Sequence, residues 1–379
     1  MKKILHLSHT DIRSDSRILK EMYALSKVGY NVSGIGVMLD EATVQSDYQK
    51  DFEIDSVCLR SRALKFLPRA IYHFFTIIEL TIKMIFKAYK VRADVIHCND
   101  TVVLPLGVII KLLTRSRLIY DAHELESNRN GLTKMLGRIT LFTEKILWRF
   151  IDALIVVSPS IQQWYANNIG NKKSEVILNS PVISDIEPEG KTSYLRQRFN
   201  IAKDSKVFIY VGILAEGRGI DLLVEAFKRE EITSSIVFLG YGEMAEQLQE
   251  TAMNHPNIYF HEAIPHEKVV SIAKSADIGL CLIQNVSLSD YYCLPNKLFE
   301  YCFAGIPVLA SNFPDIVNVV TKFNLGTTCD IEEKSIVEAI KSYQSDQIKT
   351  NFDPEDLYEL SWEAQEEKLQ KLYTSLLKN

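Results

Sequence analysis

A short segment near residue 295 carries residue types that bind phosphate and sugar hydroxyls. It contains Pro295, Lys297 and Glu300, followed by Gly305 and Pro307. Proline is favoured at the first position of a helix, and the free N–H groups and positive dipole end of a helix N-terminus attract phosphate. Lys297 would add a positive charge, and Glu300, one turn further, would accept hydrogen bonds from vicinal hydroxyls such as those of ribose. The alternative is an ordinary helix with a surface Lys and Glu.

A second phosphate-binding pattern lies in residues 210–221, which read as a strand, a glycine-rich turn and a helix. Gly212, Gly217 and Gly219 lie close to Arg218 in this segment. Glycine lets the backbone approach phosphate closely, and arginine pairs with phosphate through two hydrogen bonds. A similar strand-to-helix turn follows at Gly240. As an isolated signal, a glycine-rich loop is weak.

Polar residues also follow strands in the first half of the chain. Asp121, His123 and Glu124 end a predicted strand that begins at Leu118. Ligands of open α/β sheets bind beyond the carboxyl ends of the strands, so these residues predict the edge of a ligand-binding site. The alternative is a solvated loop.

The loop after the first predicted strand contains Asp15 and Arg17, and Asp100 closes another strand. Arg17 has two possible roles. It would meet a phosphate of the ligand, or it would form a structural ion pair with Asp15 or Glu21.

Short runs rich in Val and Ile alternate with helix-length segments along the whole chain, which predicts parallel strands covered by helices on both faces. The alternation is interrupted once, between residues 180 and 193, by a stretch rich in proline and acidic residues that predicts a linker. The predicted strands begin at Ile4, Asn31, Asp94, Leu118, Ala153, Val176, Val207, Ile236, Ile258, Ile278, Val308 and Gly326. We therefore expect two α/β domains over residues 1–182 and 195–360, with a helix at about 361–379 packing back onto the first.

The segment 291–311 resembles the donor-site motif of the retaining glycosyltransferases of family 4, the group 1 transferases with the GT-B fold. The matching residues are Pro295, Lys297, Glu300, Tyr301, Ala304, Gly305, Pro307 and Val308. The resemblance implies two Rossmann-like, doubly wound domains that face each other across a cleft. It also implies transfer of a sugar, with retention of configuration, from a nucleoside diphosphate sugar to an acceptor hydroxyl of a polysaccharide or lipid-linked glycan. No cofactor and no metal are expected.

The resemblance also implies roles for individual residues. His123 would touch the donor sugar near the reacting carbon, with Asp121 and Glu124 as further catalytic candidates. Asp15, Arg17 and Asp100 would border the acceptor. The donor-binding candidates are Gly212, Arg218, Gly240, Ala263, Tyr292, Leu294, Asn296, Lys297 and Glu300.

The chain departs from the family pattern at two positions. Tyr292 stands where relatives often have a glutamate, and Ile213 stands where an arginine is expected. Tyr292, Asp290 or backbone amides would then contact the donor sugar. Two alternative functions remain: the protein is a nucleotide-sugar epimerase of the same fold, or it binds nucleotide sugars without catalytic activity.

Charge is divided unevenly along the chain. Residues 1–180 hold 25 Lys and Arg against 18 Asp and Glu, while the remainder holds 18 against 30. Eight of the basic residues and one acid fall within residues 60–92, where Ile71, Phe74, Ile78, Ile82, Ile85 and Tyr89 form a helical stripe. Either this stripe packs in the core or it docks on an anionic membrane.

The remaining features suggest an intracellular protein. Six cysteines without metal-ligand spacing are expected to be reduced thiols. No secretory signal and no membrane span are recognised. We expect a cytoplasmic protein, peripheral on the inner face of the plasma membrane, with no nucleic-acid partner.

Overall fold

The computed structural model describes residues 1–38, 52–64, 66, 68–183, 193–348, 350, 352 and 354–378. Most of the predicted linker lies outside these residues. The chain divides into two compact units. Unit 1 comprises Met1–Ile177 with Glu366–Asn379, and unit 2 comprises Leu178–Gln365.

Unit 1 contains a seven-stranded sheet in the order β3-β2-β1-β4-β5-β6-β7, with every pairing parallel. The strands are β1 (Lys3–Leu7), β2 (Asn31–Val37), β3 (Glu53–Val57), β4 (Val95–Asn99), β5 (Arg117–Ala122), β6 (Ala153–Val156) and β7 (Ser174–Val176). The helices are α1 (Ser16–Lys27), α2 (Arg69–Val91), α3 (Leu104–Thr114), α4 (Lys134–Leu147) and α5 (Pro159–Asn168). Short 3-10 turns occupy Ile12–Ser14, Arg60–Leu64, Thr101–Val103, Glu126–Asn128 and Trp148–Phe150. The sheet reverses its strand order between β1 and β4.

Unit 2 contains a six-stranded parallel sheet in the order β10-β9-β8-β11-β12-β13, which reverses between β8 and β11. Its strands are β8 (Val207–Ile213), β9 (Ser235–Tyr241), β10 (Ile258–Glu262), β11 (Ile278–Cys281), β12 (Val308–Ser311) and β13 (Gly326–Cys329). Its helices are α6 (Tyr194–Phe199), α7 (Ile220–Phe227), α8 (Ala245–Asn254), α9 (Val269–Ala273), α10 (Leu288–Tyr291), α11 (Asn296–Phe303), α12 (Pro314–Lys322) and α13 (Glu333–Gln344). Two 3-10 turns lie at His266–Lys268 and Pro354–Leu360.

The last helix, α14 (Trp362–Leu377), begins in unit 2 and continues in unit 1. In unit 1 the hydroxyl of Tyr373 lies 2.6 Å from Nδ1 of His97 in β4, and both side chains are fully buried. Residues from the end of the chain therefore complete the core of the unit that its beginning forms.

The predicted fold class is confirmed: both sheets are parallel and doubly wound. Eleven of the twelve predicted strands begin within one residue of their predicted start, whereas the predicted start at Val176 is the last residue of β7. The central strands are buried and therefore read as continuous apolar runs, while β7 and β13 are half-buried. Strand β3 was not predicted. It lies at the edge of its sheet, and its alternating exposed and half-buried residues give no apolar run.

Candidate functional site

The two loops that follow β8 and β11 in unit 2 pack tightly against each other at the point where the strand order reverses. Gln284 N–H donates to the Gly217 carbonyl at 3.0 Å. Gly219, with φ of 74°, begins α7, and a Cβ atom there would lie 2.4 Å from the Leu282 carbonyl oxygen. Only glycine fits this approach, so the glycine-rich turn holds Arg218 at the carboxyl edge of the sheet, where ligands of such sheets bind.

Helix α11 begins at the same edge of the sheet. Pro295 precedes it in an extended conformation and provides no side-chain cap. The first N–H groups of the helix are therefore not occupied by a capping side chain. They are available as donors to an anion, and the binding of phosphate there stays a prediction.

Lys297 is directed back onto the sheet instead of into solvent. Its side chain is largely buried, and its Nζ lies 3.6 Å from the centroid of the Tyr210 ring in β8. The neighbouring Gly212 has φ of 130°, and a Cβ atom there would lie 3.5 Å from the same Nζ. The ammonium group of Lys297, in the first turn of α11, thus lies beside the end of β8. This is the switch point of the sheet, where the strand order reverses.

Three charged groups surround the end of β11. Burial raises the pKa of the Cys281 thiol to about 12, and Lys297, Glu300 and Arg218 all act on this thiol through their charges. Arg218 Nη1 also lies 3.6 Å from Asp290 Oδ1. Arg218 and Asp290 therefore lie together, and the charges of Lys297 and Glu300 also act at the end of β11.

Glu300 lies on the first turns of α11 with only 6% of its side chain exposed. His266, in the turn after β10, places Nδ1 3.5 Å from Glu300 Oε1. A carboxylate held in this way can accept hydrogen bonds from two adjacent hydroxyls, which is the chemistry that the sequence predicted for it.

The other predicted donor-binding residues lie along the same edge. Gly212 and Gly240 are register partners in β8 and β9, and a Cβ atom at Gly240 would lie 1.9 Å from the Gly212 carbonyl oxygen. Ala263 follows β10 and is exposed, as is Asn296. Tyr292 is half-buried after α10, and Leu294 is 7% exposed. Their contacts with a ligand remain predictions.

A second cluster of polar side chains lies at the switch point of unit 1. His9, Asp100 and His123 follow β1, β4 and β5 respectively. The carboxylate of Asp100 lies 3.5 Å from Nδ1 of His9 and 3.7 Å from Nδ1 of His123. Asp100 has φ of 71°, an unfavourable conformation for a non-glycine residue, and such strain is typical of functional sites.

His123 carries a positive charge in this cluster. Although burial opposes ionisation, the carboxylates of Asp121 and Asp100 raise the pKa of His123 to about 10. Its Nε2 lies 3.2 Å from Asp121 Oδ2, and 19% of the side chain is exposed. An imidazolium can donate hydrogen bonds or stabilise negative charge, but it cannot accept a proton.

The surroundings of two predicted site residues in unit 1 favour structural roles. Asp121 is fully buried, and its Oδ2 lies 3.2 Å from Nε2 of His123, so it positions His123, while a direct contact of Asp121 with substrate stays a prediction. Arg17 is 4% exposed, and its guanidinium is shared between Asp121 at 3.1 Å and Glu21 at 3.2 Å. The structural ion-pair alternative is therefore correct for Arg17, with Glu21 as one of the two predicted partners. Asp15 accepts hydrogen bonds from the first N–H groups of α1, and Glu124 is exposed.

The buried side chains behind His123 also contain a group of atoms with metal-ligand spacing. One ligand atom from each of His6, Glu21 and His97 lies within 4.8 Å of the others. His6 and His97 are register partners in β1 and β4. Arg17 Nε lies 3.2 Å from Glu21 Oε1, so a positive charge already lies beside this group in this arrangement. Sequence analysis did not identify it.

Both halves of the chain match models of known protein families. Residues 24–180 match the family model described as Glycosyltransferase Family 4, and residues 192–355 match the model described as Glycosyl transferases group 1. The chain belongs to this glycosyltransferase family.

Three of the curated proteins that resemble this chain illustrate the similarity. An uncharacterized glycosyltransferase of Methanocaldococcus jannaschii is 24% identical over 60% of this chain and 60% of its own length. The O-antigen biosynthesis glycosyltransferase WclY of Escherichia coli is 25% identical over 68% and 71%. The chitobiosyldiphosphodolichol beta-mannosyltransferase of Kluyveromyces lactis is 21% identical over 89% and 81%. The chain thus spans less than two thirds of the first of these relatives.

Solved structures of the family share the fold. Sucrose-phosphate synthase from Thermosynechococcus elongatus superposes with a TM-score of 0.79 at 18% identity, covering all of both chains. Anabaena HepE in complex with UDP-glucose superposes with a TM-score of 0.74 at 15% identity, covering 99% of this chain and 100% of that one. These superpositions establish the architecture, which is GT-B.

Two residues of the candidate sites, His266 and His9, were not predicted from the sequence. His9 lies two residues after the end of β1, and His266 lies four residues after the end of β10. The rule that ligands bind beyond the carboxyl ends of parallel strands could have indicated them. His266 lies in an exposed polar segment with no motif around it, so its immediate sequence gives no further signal.

Proposed function

We propose that this protein transfers a sugar from a nucleoside diphosphate sugar to an acceptor hydroxyl, with retention of anomeric configuration. The acceptor belongs to a growing polysaccharide or a lipid-linked glycan. The observation that carries the proposal is the position of Lys297, whose ammonium group lies at the switch point of unit 2 beside an uncapped helix N-terminus.

The leaving group of this reaction is a nucleoside diphosphate, which gains negative charge as the glycosidic bond breaks. Preorganised cations and N–H groups stabilise that charge. Lys297, Arg218 and the first N–H groups of α11 are placed for this task, and Glu300 is placed for the ribose hydroxyls. Asp290, which pairs with Arg218, orients the guanidinium until the diphosphate replaces it.

The cationic His123 supports transfer through a hydrogen bond to the donor sugar. Its raised pKa makes it a donor at neutral pH, so it would hold a sugar hydroxyl and would not act as the base. Asp100, directly beside it, would accept a hydrogen bond from the acceptor.

The names of two relatives indicate the class of acceptor. One acts in O-antigen biosynthesis, and another is named for a chitobiosyldiphosphodolichol substrate, a sugar on a lipid diphosphate. A lipid-linked acceptor would require the protein to work as a peripheral protein at the inner face of the plasma membrane.

Thermal-shift titration with UDP-, GDP- and ADP-sugars tests donor binding. At least one nucleotide should raise the melting temperature of the wild type, and Lys297→Met, Arg218→Ala and Glu300→Ala should each reduce that rise. Arg229→Ala is the matched control, because Arg229 is an exposed cation that pairs with Glu333. No response to any nucleotide would show that the donor site is wrongly assigned.

Incubation of the bound donor with acceptor glycans, followed by NMR of the product, tests the reaction. A new glycoside with the donor's anomeric configuration, together with released nucleoside diphosphate, is expected. An altered nucleotide sugar without an acceptor would indicate an epimerase. Binding without turnover on any acceptor would indicate a protein that only binds nucleotide sugars.

A further inference from the structure

Helices α2, α3 and α4 lie side by side on one face of the sheet of unit 1. Parallel strands are joined by right-handed crossovers, so the side of the sheet that a helix covers depends on the direction in which the chain moves across it. The chain moves one way from β1 to β2 and the opposite way from β3 to β4, β5 and β6. Helix α2 contacts α3, and α3 contacts α4. The three helices therefore form one layer.

The outer surface of this layer is apolar. Its most exposed large side chains are Phe86 at 68%, Met135 at 68%, Phe142 at 64%, Leu112 at 62% and Phe74 at 61%. Further exposed apolar side chains of the three helices are Ile71, Phe75, Ile77, Ile78, Ile82, Tyr89, Ile109, Leu113, Leu136, Ile139 and Ile146. We call this surface, formed by the sixteen side chains named in this paragraph, the α2–α4 face. Single exposed apolar residues are ordinary, but a surface shared by three adjacent helices marks an interaction site.

The helical stripe predicted in α2 belongs to this surface and not to the core. Ile71, Phe74 and Ile82 are 45%, 61% and 50% exposed. The core is contacted by a different stripe, formed by Leu80, Met84 and Ala88, which are 6%, 0% and 0% exposed. Helix α2 is thus apolar on both sides, and of the two alternatives for the predicted stripe, packing in the core is contradicted by the exposure of its side chains.

The helices of the α2–α4 face carry more basic than acidic residues, although Lys87 pairs with Asp55 and Lys111 pairs with Asp152. The three helices, with Arg92, Arg115 and Arg149 at their ends, contain eleven Lys and Arg and two Glu. Both acids are engaged within the protein. Glu79 is bonded to Lys83 and to the N–H groups of residues 60 and 61, and Glu144 is fully buried against two tyrosine hydroxyls. On α4, Lys134, Arg138 and Lys145 are exposed.

We propose that the α2–α4 face docks on an anionic lipid bilayer. The apolar side chains would enter the boundary between headgroups and acyl chains, and the basic side chains around them would meet the negative headgroups. A second copy of the chain fits this surface poorly, because a two-fold interface would bring two identical, predominantly basic surfaces together. No described helix is long and apolar enough to cross a membrane, so contact would be made at the surface.

The inference deepens the proposed function and rests on it in one respect, the lipid-linked acceptor. Such an acceptor is confined to a membrane, and a transferase held on that membrane meets it by diffusion in two dimensions. Membrane binding itself does not depend on nucleotide binding, so the two proposals can fail separately.

Cosedimentation with phosphatidylcholine vesicles containing 30% phosphatidylglycerol tests the docking, with pure phosphatidylcholine vesicles for comparison. The wild type should bind the anionic vesicles, and high salt should weaken binding. The apolar variant Phe74→Ser/Phe86→Ser/Phe142→Ser and the charge variant Lys134→Glu/Arg138→Glu/Lys145→Glu should each weaken binding at least tenfold. All six side chains are exposed, which limits damage to the fold.

Lys203→Glu/Lys334→Glu/Lys341→Glu is the matched control, since it makes the same charge change at exposed sites of unit 2 and should bind as the wild type does. Each variant should keep its thermal response to nucleotide. Equal binding by all variants, or no binding to anionic vesicles, would overturn the proposal. So would a dimer in analytical ultracentrifugation that the apolar variant dissociates, because that result assigns the face to a second copy.

Discussion

The ammonium nitrogen of Lys297 lies 3.6 Å from the centroid of the Tyr210 ring, although the two residues belong to different elements of unit 2. Tyr210 is fully buried in β8, and its hydroxyl donates to the Ile213 carbonyl at 2.9 Å. The ring therefore has one orientation, and the lysine that lies over it is held in place before any ligand arrives. A cation held in advance loses less conformational freedom on binding phosphate.

Replacing Tyr210 with Leu should weaken nucleotide binding about tenfold, because a cation–π contact of a desolvated lysine contributes about 1–2 kcal/mol. Isothermal titration calorimetry with the nucleotide found by thermal shift measures the effect. Tyr210→Phe keeps the ring and loses only the hydroxyl, so it should bind nearly as the wild type does. If both variants bind equally well or equally poorly, the ring does not position Lys297.

The charge of His123 should persist at a pH where a typical histidine is neutral. Asp121 and Asp100 raise its pKa to about 10, whereas burial lowers the pKa of His6 and His97. NMR spectra of ¹⁵N-histidine-labelled protein at pH 8 should show His123 protonated and the other two neutral. A titration of His123 near pH 6.5 would contradict this assignment.

The pH at which activity is lost should also depend on Asp121, because Asp121 raises the pKa of His123. In Asp121→Asn the pKa of His123 should fall, so kcat/KM should decrease as pH rises from about 6 to 9, whereas in the wild type the decrease should come near pH 10. The variant His123→Gln, which has no titrating group at this position, should show neither step. Identical profiles for the wild type and Asp121→Asn would show that the charge of His123 is not used.

Glu21 should make the protein less stable as pH rises. Burial, together with the charge of Asp121, raises its pKa from 4.5 to about 8, so folding favours the protonated carboxyl. The free energy of unfolding should therefore fall between about pH 5 and pH 8. Glu21→Gln removes this titration and should be more stable relative to the wild type at pH 8 than at pH 5, by roughly 3 kcal/mol.

Urea denaturation at the two pH values measures this difference. Glu175→Gln, a half-exposed carboxylate in β7, controls for the general effect of removing an acid. A stability difference between the wild type and Glu21→Gln that does not change with pH would mean that Glu21 is ionised throughout the range.

Any side chain added at Gly279 in β11 should lower the stability of the protein. A Cβ atom there would lie 2.2 Å from Cγ of Tyr301, whose hydroxyl accepts from the Val211 N–H at 2.9 Å. Gly279→Ala should lower stability by about 2–3 kcal/mol through overpacking. It should also weaken nucleotide binding, because Tyr301 belongs to α11.

Thermal denaturation measures the loss of stability. The control is Gly131→Ala, where φ is 75° but no atom lies within 4 Å of the added Cβ, so only a backbone cost of about 1 kcal/mol is expected. Equal losses in the two variants would mean that the contact with Tyr301 relaxes easily.

Sequence reasoning predicted the parts of this protein that follow from local pattern. Buried parallel strands and the start of α11 at Asn296 were found because apolar runs and an initial proline are local signals. The pairing of Arg17 with Asp121 could not be predicted, since it joins residues 104 positions apart. Which side of α2 faces the core could not be read either, because both of its sides are apolar and periodicity alone does not distinguish them.

The discontinuous composition of unit 1 has a consequence for biosynthesis. Its core includes Tyr373, which reaches His97 through α14, so the first 177 residues leave the ribosome without a part of their own interior. Unit 2 has no such requirement after Gln365. We expect unit 2 to reach its native state first, and unit 1 to complete its folding only after residues 366–379 have been translated.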